Sequence, residues 1–436
     1  MTDTDLVQNV PLTGIAEKVG ARLSRRHAAE RRFRAYGIAS VAMAVVFLAV
    51  LLTSIIGKGY SAFYQHEVQI TVALDPAVID PDGKRDHHAL EVGDYRTLVR
   101  NAMVSMFPEV ADNRHERREL MDLVSEGAEE LLRDKVLANP ALIGSTQTLW
   151  VPVTADVDQL LKGHMSRDPA RGGQFSERQL GWIDSLTTHG LLKSHFNTWL
   201  WTQGDSRQPE LAGLLGAMVG SFYSLVVTLL LSFPLGVATA IYLEEFAPQN
   251  RWTDLIEVNI NNLAAVPSIV FGLLGLEMFL NVFHLPRSAP LVGGLALTLV
   301  SLPTIIIASR VALKAVPPWI REAALGLGAS RWQMVVHHVL PLAMPGVLTG
   351  TIIGMARAVG ETAPLLMIGM VAFIVDIPAT PLDPATALPV QVYLWAASPE
   401  RAFVERTSAA IIVLLLFLGV MNAGAIYLRK KFERRW

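Results

Sequence analysis

The sequence predicts an all-α polytopic membrane protein with six transmembrane helices and an inserted α+β extracytoplasmic domain. Three observations carry that expectation. The 436-residue chain is 51% hydrophobic and only 17% charged, and its mean hydropathy is positive. Its uncharged stretches recur at lengths that reach the ~20 residues a bilayer requires. Between the first and second of them, residues 57–209 have soluble character. A net charge of −2 offers no basic field to attract nucleic acid. The absence of cysteine excludes disulfides, thiolate metal sites and thiol nucleophiles. The first apolar stretch starts late, is a full span long and lacks a small-residue cleavage pattern, so no cleavable signal is expected.

Six spans are expected, in contact with lipid. The first is Ala35–Ile56. The second lies within Leu211–Leu243, which is longer than one straight crossing needs. The third is Val258–Phe283, carrying Asn259, Asn261, Asn262 and Glu277, with Pro267 as a kink. The three asparagines read best as bonds between helices, or else as pathway lining; Glu277 is expected near the outer end and solvated. The fourth is Ser288–Ser309, kinked at Pro303. The fifth, Val339–Val375, exceeds one helix and should be broken by Pro341, Pro345, Gly360 and Pro364. The sixth is Ser408–Leu428. Arg22, Arg25, Arg26, Arg31, Arg32 and Arg34 precede the first span, and Arg429, Lys430, Lys431, Arg434 and Arg435 follow the last. By the positive-inside rule both termini are cytoplasmic, which requires an even number of spans. The chain then divides into a basic cytoplasmic segment 1–34, the first helix 35–56, the outer domain 57–209, a membrane core 211–428 with a cytoplasmic loop 310–338, and a basic tail 429–436.

In the outer domain, His66–Leu74 alternates polar residues with Val68, Ile70, Val72 and Leu74, as a half-buried strand does. Gln147–Thr154 is a second candidate strand. Helical periodicity covers Asp94–Phe107, Glu116–Leu137 and Ser176–Trp201. His87-His88 reads as a solvated turn, and no metal-ligand spacing stands out.

The loop after the fourth span reads Pro317-Pro-Trp-Ile-Arg-Glu-Ala-Ala-Leu-Gly-Leu-Gly328. Proline is tolerated in a helix's first turn, where N–H groups lack internal partners. Glu322 sits early, where a carboxylate favours the helix dipole. Ala323 and Ala324 form helix without bulk, so a second surface can approach closely. Gly328 accepts the left-handed conformation that stops or kinks a helix. With Leu340-Pro341 beyond it, the segment closely resembles the "EAA" loop of ABC-importer permeases. The one departure is His338, where that family usually has an aliphatic residue. The resemblance implies a coupling helix that docks into a separate ATPase, with Glu322, Ala323, Ala324 and Gly328 as its marker residues. The bland reading is an ordinary amphipathic loop helix between spans.

Within the fifth span lies Ala356-Arg-Ala-Val-Gly-Glu-Thr-Ala-Pro364. Arg357 and Glu361 are four apart and share a helical face. Ionisable groups at membrane depth are costly and avoid lipid. They line an anion path or brace the broken helix, and the two roles are compatible. This string resembles the signature of phosphate-importer permeases (the PstA/PstC type). Ser232-Phe-Pro-Leu-Gly236, Leu388-Pro-Val-Gln-Val-Tyr-Leu-Trp395 and Asn422-Ala-Gly-Ala-Ile-Tyr-Leu-Arg429 resemble the A-type subunit. The likeness covers about residues 211–436 and marks a longer subgroup carrying an extra outer domain.

That resemblance implies a type I ABC-importer permease fold and a phosphate path using Arg357 and Glu361. Arg310 is a further path candidate, or else a positive-inside anchor. It also implies a bacterial inner-membrane location and partnership with a homologous C-type permease, an ATPase dimer and an extracytoplasmic phosphate-binding protein. No Gly-x-x-x-x-Gly-Lys-Ser/Thr stretch occurs, so ATP and Mg are expected on the ATPase, this chain is expected to bind no cofactor and no metal, and it is not expected to be an enzyme. The alternatives are a permease for sulfate, molybdate or a phosphonate, or, outside the class, a membrane sensor or passive channel.

Overall fold

The computed structural model describes residues 12–81, 83, 85–168 and 173–432; the ends of both basic segments, including Arg434 and Arg435, fall outside them. One compact unit ends at Gly57 and the other begins at Lys58. In the first, a single helix, α1 (Leu12–Gly59), contains the expected first span without a break.

The outer region is built on three antiparallel strands in the order β2-β1-β3: β1 (Tyr64–Ala73), β2 (Thr146–Pro152) and β3 (Leu192–Phe196). Val68, Ile70 and Val72 of β1 turn to one face. They meet α2 (Tyr95–Met106), α3 (Arg114–Met121), α4 (Gly127–Ala138), α5 (Ala155–Leu161) and α6 (Glu177–Thr188) in a core that includes Leu98, Met103, Leu120, Leu132 and Ile183. Two expectations are corrected here. Glu116–Leu137 is two helices, because Ser125 donates its N–H to Pro152 and Val124 bridges Val153, which takes that backbone out of a helical ladder. Ser176–Trp201 is a helix followed by β3: Gly190 turns left-handed at φ +70, and the chain then pairs with β1. His87 and His88 are exposed, in the short helix His87–Glu91.

The membrane core holds four further long apolar helices: α7 (Leu215–Ile241), α10 (Pro290–Lys314), α13 (Leu340–Gly360) and α16 (Ala402–Phe432), the last preceded by the short α15 (Leu388–Ala396). The expected third span is instead a bent pair, α8 (Arg251–Ala264) and α9 (Ser268–Gly275, continued as a π-helical segment to Val282), with 101° between their axes. The reason is Pro267, which removes a donor and excludes helical backbone at the residue before it. Among the described residues, five helices are long and apolar enough to cross, or six crossings if the bent pair is one. Asn259, Asn261 and Asn262 lie exposed on α8, and Asn259 donates to the Leu255 carbonyl of its own helix, so within this chain they do not tie helices together. Glu277 is exposed and accepts from Asn281 at 2.8 Å.

The fifth span also differs from expectation. Pro341 follows the π-helical segment Val335–Val339, which widens the helix just ahead of it, and the helix runs on through both Pro341 and Pro345. The break comes only at Gly360. Glu361 is extended, and a short α14 (Ala363–Met367) follows. The close packing of α13 on α10 rests on glycine. A methyl group at Gly346 would come within 2.6 Å of the Ala312 Cβ, and one at Gly350 within 2.2 Å of the Ala308 Cβ; at Gly354 it would come within 3.1 Å of Ile305. Small residues four apart let backbones approach where no hydrophobic effect drives helices together. Gly350→Leu should therefore force the helices apart at a cost of about 1–3 kcal/mol. A thermal melt in detergent is expected to show a lowered midpoint; an unchanged one would refute this packing.

Candidate functional site

Two places in the core carry chemistry, and they lie at opposite ends of α13. At the far end is the ion pair. Arg357 occupies the last turn and its Nε lies 3.2 Å from Glu361 Oε1; their side chains are 41% and 19% exposed. Glu361 can reach back because the chain leaves the helix at Gly360 and is re-seated by Pro364, which packs on α9. A methyl at Gly272 would fall 2.7 Å from the Pro364 Cα, so only glycine admits this contact. Among the described residues, the one ion-pair partner of Arg357 is Glu361. The guanidinium's remaining N–H donors make no hydrogen bond among the described residues, and planar forks of this kind suit phosphoryl and carboxylate oxygens. Ile353, Arg357 and Gly360 are all exposed and spaced along one face of α13. This chain leaves that face uncovered, and a charge cannot be left facing hydrocarbon.

Arg310 does not join this pair. The pairing of Gly350 with Ala308 and of Gly346 with Ala312 places Arg310 roughly 13 Å along the axis from Arg357, at 1.5 Å per residue. Its Nη2 is 2.9 Å from Glu257 and its Nε 3.6 Å from Glu244, with the side chain only 12% exposed. Lys314 adds a second cation 3.6 Å from Glu244. The geometry is that of a bound anchor tying α7, α8 and α10 at the loop end.

The segment that resembles the EAA loop forms α11 (Pro318–Gly326), with Pro317 before it. Gly328 adopts φ +88 and turns the chain into the one-turn α12 (Arg331–Met334), closed by a Ser330–Gln333 capping box. Ala324 packs inward beside Val335 and Val339. Glu322 and Ala323 face out, and Trp319, Leu325, Leu327 and Trp332 are exposed apolar side chains. Trp319 and Leu327 border a cavity of about 750 Å³ whose wall also includes Ala323, His337 and His338. His338 is exposed while its neighbour Val339 is buried, so it occupies a surface position of the π-turn rather than a packing one.

Reading the sequence alone missed the clamp behind this helix. Arg321 holds Glu245 with two nitrogens, at 2.7 and 3.1 Å. It also donates to the carbonyls of Val316 at 2.7 Å and Leu313 at 2.9 Å. It therefore fastens α11 to the ends of both α7 and α10. The signal was present: Glu244-Glu245 ends an uncharged run, and paired acids there need cations.

Comparison with known proteins identifies the segment in which both places lie. Residues 232–436, which contain both, match the family described as binding-protein-dependent transport system inner membrane component. Residues 20–171 match a domain of unknown function (DUF3333). The probable ABC transporter permease protein YqgI of Bacillus subtilis is 40% identical over 35% of this chain and 52% of its own length, so the chain spans about half of that relative. Phosphate transport system permease protein PstA 1 of Mycobacterium tuberculosis is 33% identical over 51% of this chain and 72% of its own length. PstA of Haemophilus influenzae is 30% identical over 54% and 81%. Among solved structures, the inward-facing MetNI methionine ABC transporter aligns at 18% identity with a TM-score of 0.40, over 49% of this chain and 95% of that one. With 30–33% identity across more than two thirds of these PstA proteins, and the transport-component segment enclosing both the ion pair and α11, the chain belongs to the PstA-type permease family of binding-protein-dependent transport systems.

Proposed function

We propose that this protein is the transmembrane permease subunit of an ATP-driven inorganic phosphate importer in the bacterial inner membrane. The observation that carries the reading is Arg357, a guanidinium with free donors on an uncovered helix face, inside the segment that matches the transport family. A phosphate oxyanion meets those donors as Glu361 releases them, and the ion pair at rest keeps the arginine from standing unpaired at the membrane. The uncovered face of α13 is closed by a second, homologous C-type permease, so that the path runs between two chains.

The exposed apolar surface of α11 is the seat of the ATPase pair, which binds the ATP and Mg. This chain binds no cofactor and is not itself an enzyme. Closure of the ATPases pushes α11. The Arg321–Glu245 clamp then carries that push into α7 and α10, a rigid-body transfer between states. An extracytoplasmic binding protein supplies phosphate at the other face. Both basic ends lie in the cytoplasm, which makes the bent α8–α9 pair one crossing.

The test of substrate class is competition. In cells carrying the whole transporter, unlabelled phosphate should suppress labelled phosphate uptake, while sulfate, molybdate and a phosphonate at the same excess should not. Suppression by one of those anions as strong as that by phosphate itself would contradict selection of phosphate.

A further inference from the structure

The outer region meets the last spanning helix through ionisable groups that are almost wholly removed from water. Lys162, just past α5, places its Nζ 2.6 Å from Asp158 and 2.9 Å from Glu405 in the first turn of α16. The three side chains are 7%, 6% and 5% exposed. The Gln159 amide donates to the other Glu405 oxygen. Asp158 also receives the His66 backbone N–H at 3.0 Å and its ring nitrogen at 2.8 Å. Arg406, beside Glu405, is 4% exposed and donates to the Glu210 carbonyl at 3.5 Å. Glu210 in turn accepts from Ser125 of the outer region at 2.8 Å. Nearby, a methyl at Gly127 would lie 2.4 Å from Leu211, and the Trp395 indole donates to Asp205 at 2.8 Å.

Charges this deep are tolerated only while every partner is in register, because removing one strands another without solvent. Burial would push the Asp158 carboxyl up, but the His66 hydrogen bond and Lys162 outweigh it and hold it below the usual carboxylate range. A domain that swung on a tether would expose these groups at each excursion. The residues from Lys58 onward, outer region and membrane core together, form one compact unit.

We propose that the 58–209 region is a fixed outer extension of α16, welded to it by the Lys162–Glu405 network, and that the two move as one body. The movement rests on the transport reading above; the weld does not. A contact that holds the outer region from outside therefore holds α16.

The experiment uses the cysteine-free chain in the assembled transporter. Asp156 of α5 and Glu400, two residues before α16, line one cavity across the seam, so Asp156→Cys with Glu400→Cys can be closed by a bis-methanethiosulfonate reagent. Phosphate uptake is expected to stay within about twofold of the reduced control, since the seam does not open. A tenfold loss on cross-linking, restored by reductant, would overturn the proposal. A second arm reads the weld without transport. Limited proteolysis of the 203–208 stretch should be at least tenfold faster in Lys162→Met, and near the native rate in Lys162→Met/Glu405→Met, where no charge is stranded. Equal cleavage in the native chain and Lys162→Met, or a double variant no better than the single, would contradict the weld. If the native chain carried no phosphate, the transport reading would fail while the proteolysis arm still decided the weld.

Discussion

Arg357→Ala is expected to reduce phosphate uptake at least tenfold at unchanged membrane abundance. Hydrogen bonds to a charged group contribute about 1.5–3 kcal/mol each, and ~1.4 kcal/mol is a factor of ten. The substitution removes the donors that would meet the anion, while the helix loses only one ion-pair contact and keeps its glycine packing on α10. Arg357→Lys should recover part of the rate, because charge returns without the planar fork. Radiolabelled uptake with surface quantification is the measurement. Equal uptake by the alanine variant would leave Arg357 as a structural brace for Glu361 and the break at Gly360.

The second large effect lies at the other end of α13. Leu327 is 90% exposed and Trp319 66%, and exposed apolar side chains gathered beside a cavity mark a docking surface. Leu327→Asp places a charge on that surface without touching the core. Hot-spot losses of about 2 kcal/mol or more predict that the ATPase no longer co-purifies and that uptake falls more than tenfold, while the variant inserts normally. Co-purification at native yield would remove α11 as the seat. Arg321→Ala separates docking from transmission: the ATPase should still bind, but uptake should fall because α11 is no longer fastened to Glu245.

The membrane core was largely legible because its signals are local. Charge-free runs, basic flanks and the Pro317–Gly328 string each state their own conformation, and Gly328 adopts the left-handed backbone the loop reading expects. What misled was proline. Pro341 and Pro345 look like breaks, yet both are absorbed within one continuous helix, whereas Pro267 turns the chain by about a right angle. Proline's effect depends on which neighbours satisfy the freed carbonyl, and a single chain of letters does not state them. The asparagines of α8 illustrate the same limit, since polar residues on an apolar helix imply a partner without naming it. The outer region's third strand was hidden because Leu192–Phe196 pairs only through residues far away in sequence, on β1. The Lys162–Glu405 contact joins positions 243 apart, and no spacing rule reaches that far. Arg310 was singled out as a charge at a membrane boundary, but its acidic partners Glu244 and Glu257 became visible only when α7 and α8 were folded beside it.

The measurement that tests the account most directly is labelled phosphate uptake in cells lacking this subunit, with the ATPase, C-type permease and binding protein present. Re-expression of the native chain is expected to restore uptake that ceases when ATP is depleted. Failure to restore it at normal membrane abundance, or restored uptake indifferent to ATP, would contradict the central claim.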